Sequence, residues 1–201
     1  MVRLGQIMLI VLLAACSRDA AQQAESTQTL AQDSTQTTDT RPPNDVPESE
    51  RDSAFYALRV YPLDSFPHLP SEIRAALQAI GCHEIAQTYT SRTPSNVAKG
   101  EFSARGQTDW AALCYRAGKS ELTVVWGGPS KCPSRLNEQR ASSDRFLAVA
   151  TMQDILVHAQ RYDGPAPPAQ DHDGIHDGIA EKASTIMFCH QGEWRELAGA
   201  D

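Results

Sequence analysis

Trp110-Ala111-Ala112-Leu113-Cys114-Tyr115 and Leu122-Thr123-Val124-Val125-Trp126 are the two runs on which the reading of this chain turns. Both are rich in apolar, β-branched and aromatic residues. They flank Ala117-Gly118-Lys119-Ser120, a short segment carrying one glycine. Such runs fit a pleated, half-buried surface, and glycine supplies the backbone freedom a tight reversal needs. The spacing therefore predicts an antiparallel hairpin. Gly127-Gly128-Pro129 then stops the second strand.

A second hairpin is expected at the C-terminus, where Thr185-Ile186-Met187-Phe188-Cys189-His190 and Glu193-Trp194-Arg195-Glu196-Leu197 flank Gln191-Gly192. Phe146 to Ala150 reads as a further strand. Two stretches carry helical periodicity instead. In the first, from Ser71 to Ile80, Ile73, Ala76, Leu77 and Ile80 fall on one face, Ser71 is placed to cap the start and Gly81 to end it. The second spans about Met152 to Tyr162, with Met152, Ile155, Leu156 and Ala159 as its apolar face. There Thr151 and Asp154 resemble a capping box with Asp in place of Glu, and Gly164 ends the helix. Helices set apart from antiparallel hairpins predict an α+β class: one domain over residues 55–201, large enough to bury a core.

The residues before it have another character. Met1-Val2-Arg3 precedes a short apolar run from Leu4 to Leu13 that ends in Ala14-Ala15. This is the pattern of an export signal, about ten apolar residues long where a spanning helix needs about 20. Leu13-Ala14-Ala15-Cys16 resembles the lipobox of bacterial lipoproteins. That resemblance implies a diacylglyceryl group on Cys16, which becomes the new N-terminus after cleavage, with palmitate-type chains as a stable lipid anchor. Ser17 in place of Asp implies the outer membrane, facing the periplasm or the cell surface. Residues 16–54 are dominated by Gln, Ser, Thr, Ala and Asp and read as a disordered acidic tether. Its mean reach is roughly 35 Å.

The chain carries a formal net charge of −7. Cleavage before Cys16 removes Arg3 and no acid, which makes the mature charge −8. Residues 55–201 hold 14 basic and 17 acidic side chains of mixed order. No basic stripe is present to neutralise phosphates, and nucleic acid is not an expected partner. Four cysteines follow Cys16: Cys82, Cys114, Cys132 and Cys189. An even number in an exported chain points to two disulfides. Four cysteines admit three pairings, and the sequence does not choose among them; Cys82–Cys114 with Cys132–Cys189 is the pairing we favour.

Two stretches carry candidate chemistry. In Asp171-His172-Asp173-Gly174-Ile175-His176-Asp177, carboxylates stand at alternate positions beside a glycine, an arrangement that suits calcium's need for several converging oxygens. It resembles the calcium-binding Asp-rich loops of thrombospondin type 3 repeats, which implies Asp171, Asp173 and Asp177 as calcium ligands. It is not an EF-hand, since alignment on Gly174 puts Ala169 and Ala180 at the first and last ligand positions. Without a metal it reads as a solvated loop whose Asp177 caps a short helix through Ile179–Lys182. His172 and His176 are four apart and would share a helical face, the spacing of a zinc or copper pair, but Gly174 and Gly178 oppose a helix there.

The second stretch, Lys99-Gly100-Glu101-Phe102-Ser103-Ala104-Arg105-Gly106-Gln107-Thr108-Asp109-Trp110, resembles one FG-GAP or VCBS-type repeat. The resemblance places its calcium-site positions on Glu101, Ser103, Arg105, Gln107 and Asp109. Arg105 stands where an acid belongs, so an ion pair of Arg105 with Glu101 or Asp109 is expected to hold the loop. Residues 69–201 also resemble a group of bacterial exported proteins, through Gly81-Cys82, Gly106-Gln107-Thr108-Asp109-Trp110, Leu113-Cys114, the Asp171–Asp177 stretch and the ending Trp194 to Asp201. This implies a shared fold and no activity.

No nucleophile elbow, phosphate-binding glycine loop or His-Glu-x-x-His segment occurs. His83-Glu84 and His158 are isolated candidates for acid–base work, and Trp110, Trp126 and Trp194 are expected in the core rather than on a ligand platform. The leading expectation is a non-enzymatic binding module held at the envelope, its partner another envelope protein, a glycan, or an enzyme it inhibits. The rival is an envelope-directed hydrolase assisted by calcium at Asp171, Asp173 and Asp177. A structural spacer is the third reading.

Overall fold

The computed structural model describes residues 55–162 and 165–199, together with Ser53. The signal segment, Cys16, the tether apart from Ser53, and Gly164 lie outside the described residues. Among the described residues no helix is long and apolar enough to cross a membrane.

The hairpin expected at Trp110–Trp126 forms as β4 (Asp109–Arg116) and β5 (Lys119–Val125). Its turn is tighter than expected. Ala117 and Gly118 alone make it, with φ of 49° and 80°, which is the doubly left-handed reversal that matches strand twist. Around it are β1 (Arg59–Pro62), β2 (Glu84–Gln87), β3 (Val97–Gly100) and β6 (Arg135–Arg140). The order across this first sheet is β1-β2-β4-β5-β6, with β3 also pairing along β4, all antiparallel. The second sheet holds β7 (Arg145–Ala150), β8 (Gly174–Ile179), β9 (Ala183–His190) and β10 (Glu193–Ala198) in the order β10-β9-β8-β7. The C-terminal hairpin turns at Gln191-Gly192, with φ of 54° and 91°.

Side-chain alternation along β4 explains the layers. Ala111 and Leu113 face the second sheet and join Leu122, Val124, Phe102, Ile175 and Met187 in the central core. Trp110, Ala112 and Cys114 face the other way. There they pack beneath α1 (Ser71–Ala79) with Leu77, Phe66, Leu63 and Ile85. On the far side of the second sheet, α2 (Met152–Arg161) covers Ala150, Ile186, Phe188 and Leu197. The fold is a two-sheet sandwich with one helix on each outer face, an α+β domain made mostly of strands. Each fully buried Leu, Ile or Phe contributes about 1.5–3 kcal/mol.

Both helices form where their periodicity lies, with differences. Pro70 rather than Ser71 stands at the N-cap of α1, and no side chain caps it. Its end is as expected: Gly81 has φ 80°, Cys82 N–H donates to Leu77 O and Gly81 N–H to Gln78 O at 2.9 Å each, the double bond of a Schellman motif. On α2 the Thr151–Asp154 capping box is formed in both directions. The helix is rotated from the expected face, however. Met152 and Leu156 are exposed, while His158 is buried with Ile155 and Ala159. The apolar positions alone did not fix the rotation, because His158 takes a core position.

The segment Gly174–Ile179 is a strand, not a loop leading into a helix capped by Asp177. It pairs with β7 and β9 on either side, so backbone pairing overrides its polar composition. The disulfides are Cys82–Cys114, which ties the end of α1 to β4, and Cys132–Cys189, which ties the connection after β5 to β9.

Candidate functional site

The two stretches singled out from sequence meet. Glu101 N–H donates to Asp173 Oδ2 at 3.1 Å, and Asp173 N–H donates to Glu101 O at 2.9 Å. Asp109, fully buried, organises the 100–109 loop as an acceptor. Its Oδ2 takes the N–H groups of Phe102 and Ser103 at 2.9 and 3.0 Å, and its Oδ1 takes Gln107 Nε2 and Gly127 N–H at 2.8 and 2.9 Å. Gly127 must be glycine, because a Cβ there would lie 1.9 Å from Thr108 O. Arg105 is exposed. The loop is therefore held by amides on Asp109 and not by the expected ion pair.

The three acids expected to share calcium have three different surroundings. Asp171 is exposed and lines a pocket of about 470 Å³ with His172, Lys131, Ser130, Ser103 and His190, beside Cys189. Asp173 is engaged with Glu101. Asp177 is buried at the far end of β8, four residues and roughly 13 Å from Asp173 at strand rise. There it forms an ion pair with Arg145, at 2.8 Å to Nε and 2.6 Å to Nη2. Among the described residues no three His, Cys, Asp or Glu side chains are grouped to hold a metal ion. His172 and His176 are also separated. His172 is buried with Nδ1 3.0 Å from Asp173 O, whereas His176 lies on the outer face of the second sheet against Phe146 and His158. Burial, then neighbouring His158, holds the His176 imidazole below 6.5. Of the three tryptophans only Trp110 is buried, under α1, whereas Trp126 and Trp194 are partly buried and stack against the central core with ring centres 5.9 Å apart.

A second concavity was not legible in sequence. It is an open cleft of about 670 Å³ lined by Tyr56, Leu58, Tyr89, the 140–144 connection and Ala180-Glu181-Lys182. One wall is aromatic. Tyr56 and Tyr89 meet edge to face at 4.8 Å between ring centres, with Phe55 against both at 5.1 and 5.6 Å. Phe55 and Tyr56 are half exposed, at 50% and 53%. The rest of the lining carries the charged side chains of Arg140, Asp144, Glu181 and Lys182, together with Ser142 and Ser143.

The walls are fixed to the sandwich. Tyr89 N–H donates to Ser143 O at 2.6 Å, Ser143 Oγ donates to Tyr56 O, Ala180 N–H donates to Asp144 O at 2.8 Å, and Lys182 Nζ donates to Asp144 Oδ2 at 3.3 Å. Desolvation, then the Glu181 carboxylate, holds the Tyr89 phenol above 10, so it stays a hydroxyl. These residues come from four separate segments and share no motif, which is why sequence reading missed them; the aromatic pair Phe55-Tyr56 at the domain's edge was the one available signal. No family model, curated protein or solved structure matches this chain.

Proposed function

We propose that the protein is an envelope-anchored, non-enzymatic binding module, and that its ligand is a glycan taken into the Tyr56–Tyr89 cleft. The observation that carries this reading is the pairing, in one cleft, of aromatic rings with charged side chains of both signs. A sugar ring has an apolar face of C–H groups and a rim of hydroxyls. The first suits Tyr56 and Tyr89, and the second suits Arg140, Asp144, Glu181 and Lys182. Carboxylates and cations together favour a neutral or zwitterionic ligand over a polyanion. The separation of Asp171, Asp173 and Asp177 supports binding rather than calcium-assisted hydrolysis.

The test is co-sedimentation of the full-length protein, in detergent, with insoluble cell-wall glycan. Retention is expected, with Tyr89→Ala weakening it by roughly three- to tenfold, the worth of one aromatic contact at about 0.5–1.5 kcal/mol. No retention, or retention unchanged in both Tyr56→Ala and Tyr89→Ala, sinks the proposal.

The anchor is supported by the lipobox residues Leu13-Ala14-Ala15-Cys16. Cys16→Ala is expected to move the protein from the membrane fraction to the soluble one. A variant that still fractionates with membranes rules the lipid anchor out.

A further inference from the structure

The outer face of the second sheet carries two titratable rings set apart from the aromatic cleft. His158, in the last turn of α2, and His176, on β8, line a pocket of about 390 Å³ together with Val149, Ala150, Val157 and Ile186. His158 is only 9% exposed. The Nε2 atoms of both rings are buried without a hydrogen-bond partner. The ring centres are 6.5 Å apart at an interplanar angle of 69°. A direct N–H···N bond would bring the centres to about 5.2 Å, so the imidazoles do not satisfy each other.

This arrangement suits neutral rings. A neutral imidazole carries one N–H and can leave its bare nitrogen unpaired, whereas a protonated one carries an N–H on both nitrogens and needs an acceptor at each. A buried cation without one is heavily penalised. The carboxylates nearby are engaged elsewhere. Asp154, one turn before His158, holds its Oδ2 against the Thr151 N–H and hydroxyl at 2.8 and 2.6 Å. Asp177, next to His176 in β8, points to the other face of the sheet and pairs with Arg145. Arg161 lines the same pocket and adds a like charge. Tyr162 stands edge to face with His158 at 4.8 Å between ring centres. The β7 and β9 residues against the two rings, Val149, Ala150, Phe146 and Ile186, do not titrate. The C-terminal carbonyls of α2 favour a cation at His158, so His176 is the ring that resists the proton. Burial, then the field of His158, holds His176 below 6.5, against the smaller opposing pull of Asp177 and Asp154. The docked form therefore binds fewer protons than the released one. Docking is at full strength above 6.5 and weakens as the pH falls from there toward the lowered value.

We propose that His158 and His176 form an acid-sensitive latch that holds α2 on the second sheet while both rings are neutral and releases it on protonation. Neither disulfide ties α2 down, and its capping box is internal to the helix and travels with it. Release uncovers Ile155, Ile186, Phe188 and Leu197, beside Met152 and Leu156, which are already exposed. The latch does not depend on glycan binding.

The test is amide hydrogen exchange on the full-length protein in detergent, read by mass spectrometry from about pH 8 to about pH 5, the span over which histidine titrates, and corrected for the intrinsic pH dependence of exchange. The peptide over Met152–Arg161 is expected to lose at least about tenfold in protection while the β4–β5 hairpin keeps its own. His176→Gln, which cannot take the proton, should cut that loss to less than about threefold. Far-UV circular dichroism checks that the variant is folded. Nuclear magnetic resonance of the wild-type imidazoles provides a readout free of substitution, since the His176 ring should titrate below 6.5 over the same pH interval as the opening. Unchanged protection of α2, a loss shared equally by the β4–β5 hairpin, a loss retained in His176→Gln, or a His176 ring that titrates outside that interval overturns the proposal.

Discussion

Arg145 commits all five N–H donors of its guanidinium inside the sandwich. Asp177 receives two, Ser120 receives two through its carbonyl and hydroxyl at 2.8 and 2.9 Å, and Asn137 O receives one at 3.0 Å. The side chain is fully buried and its donors reach β5, β6 and β8 from β7, so one residue fastens the two sheets at one end. Asn96 makes a smaller bridge of the same sort: its amide donates to Ala86 O and Arg145 O, and its Oδ1 accepts from Leu147 N–H. Asp177→Asn would leave the guanidinium without a counter-charge in the interior. Removing one partner of such a pair costs about 3–5 kcal/mol, a loss to be read as a lower denaturant midpoint at unchanged slope. Replacing both, as Arg145→Met with Asp177→Leu, should recover most of that loss.

Asp144 makes a pH prediction of definite sign. Burial would raise its pKa, but hydrogen bonds from the Ser142 hydroxyl and Lys182, with the field of Lys182, hold it below 3.8. Its stabilising contribution is therefore complete above 3.8 and is lost as the pH falls through the lowered folded value. Acid unfolding of Asp144→Asn should show a shallower decline below pH 3.8 than the wild type.

The elements divide by how much of their environment the sequence encodes. The β4–β5 and β9–β10 hairpins were legible because each pairs runs of apolar residues with a two-residue left-handed turn. β8 was not. Its Asp, His and Gly residues suggest a loop, yet the alternation of Asp173, Ile175 and Asp177 is that of a pleat, with the inward carboxylate neutralised by an arginine far away in sequence. β6, Arg135–Arg140, was missed because an exposed edge strand needs no apolar face. The capping box of α2 was legible because it is local. Thr151→Ala removes the two bonds of the Thr151 hydroxyl, leaving the backbone N–H on Asp154, and should destabilise the domain by about 1 kcal/mol, measurable by chemical denaturation. The burial of His158 was illegible because it depends on what α2 lies against.

For the whole molecule, the covalent ties supplement a core shared among three clusters. Cys132–Cys189 closes a separation of 57 residues and joins the connection that leaves the first sheet to the second. Its removal by the double substitution to serine should cost about 2–4 kcal/mol and lower the thermal midpoint by several degrees. The two concavities lie at opposite ends of the sandwich. The pocket lined by Asp171 sits by the β9–β10 turn and the aromatic cleft by the β8–β9 turn, about eight residues of β9 apart, or roughly 25 Å. The chain enters the domain at Phe55-Tyr56, in the wall of the cleft itself. If the proposed glycan seats in that cleft, a pull between it and the chain entering at Phe55 is carried across one corner of the domain, through Tyr56, Ser143 and Tyr89. Such a pull would load a single seam and leave the two sheets unsheared.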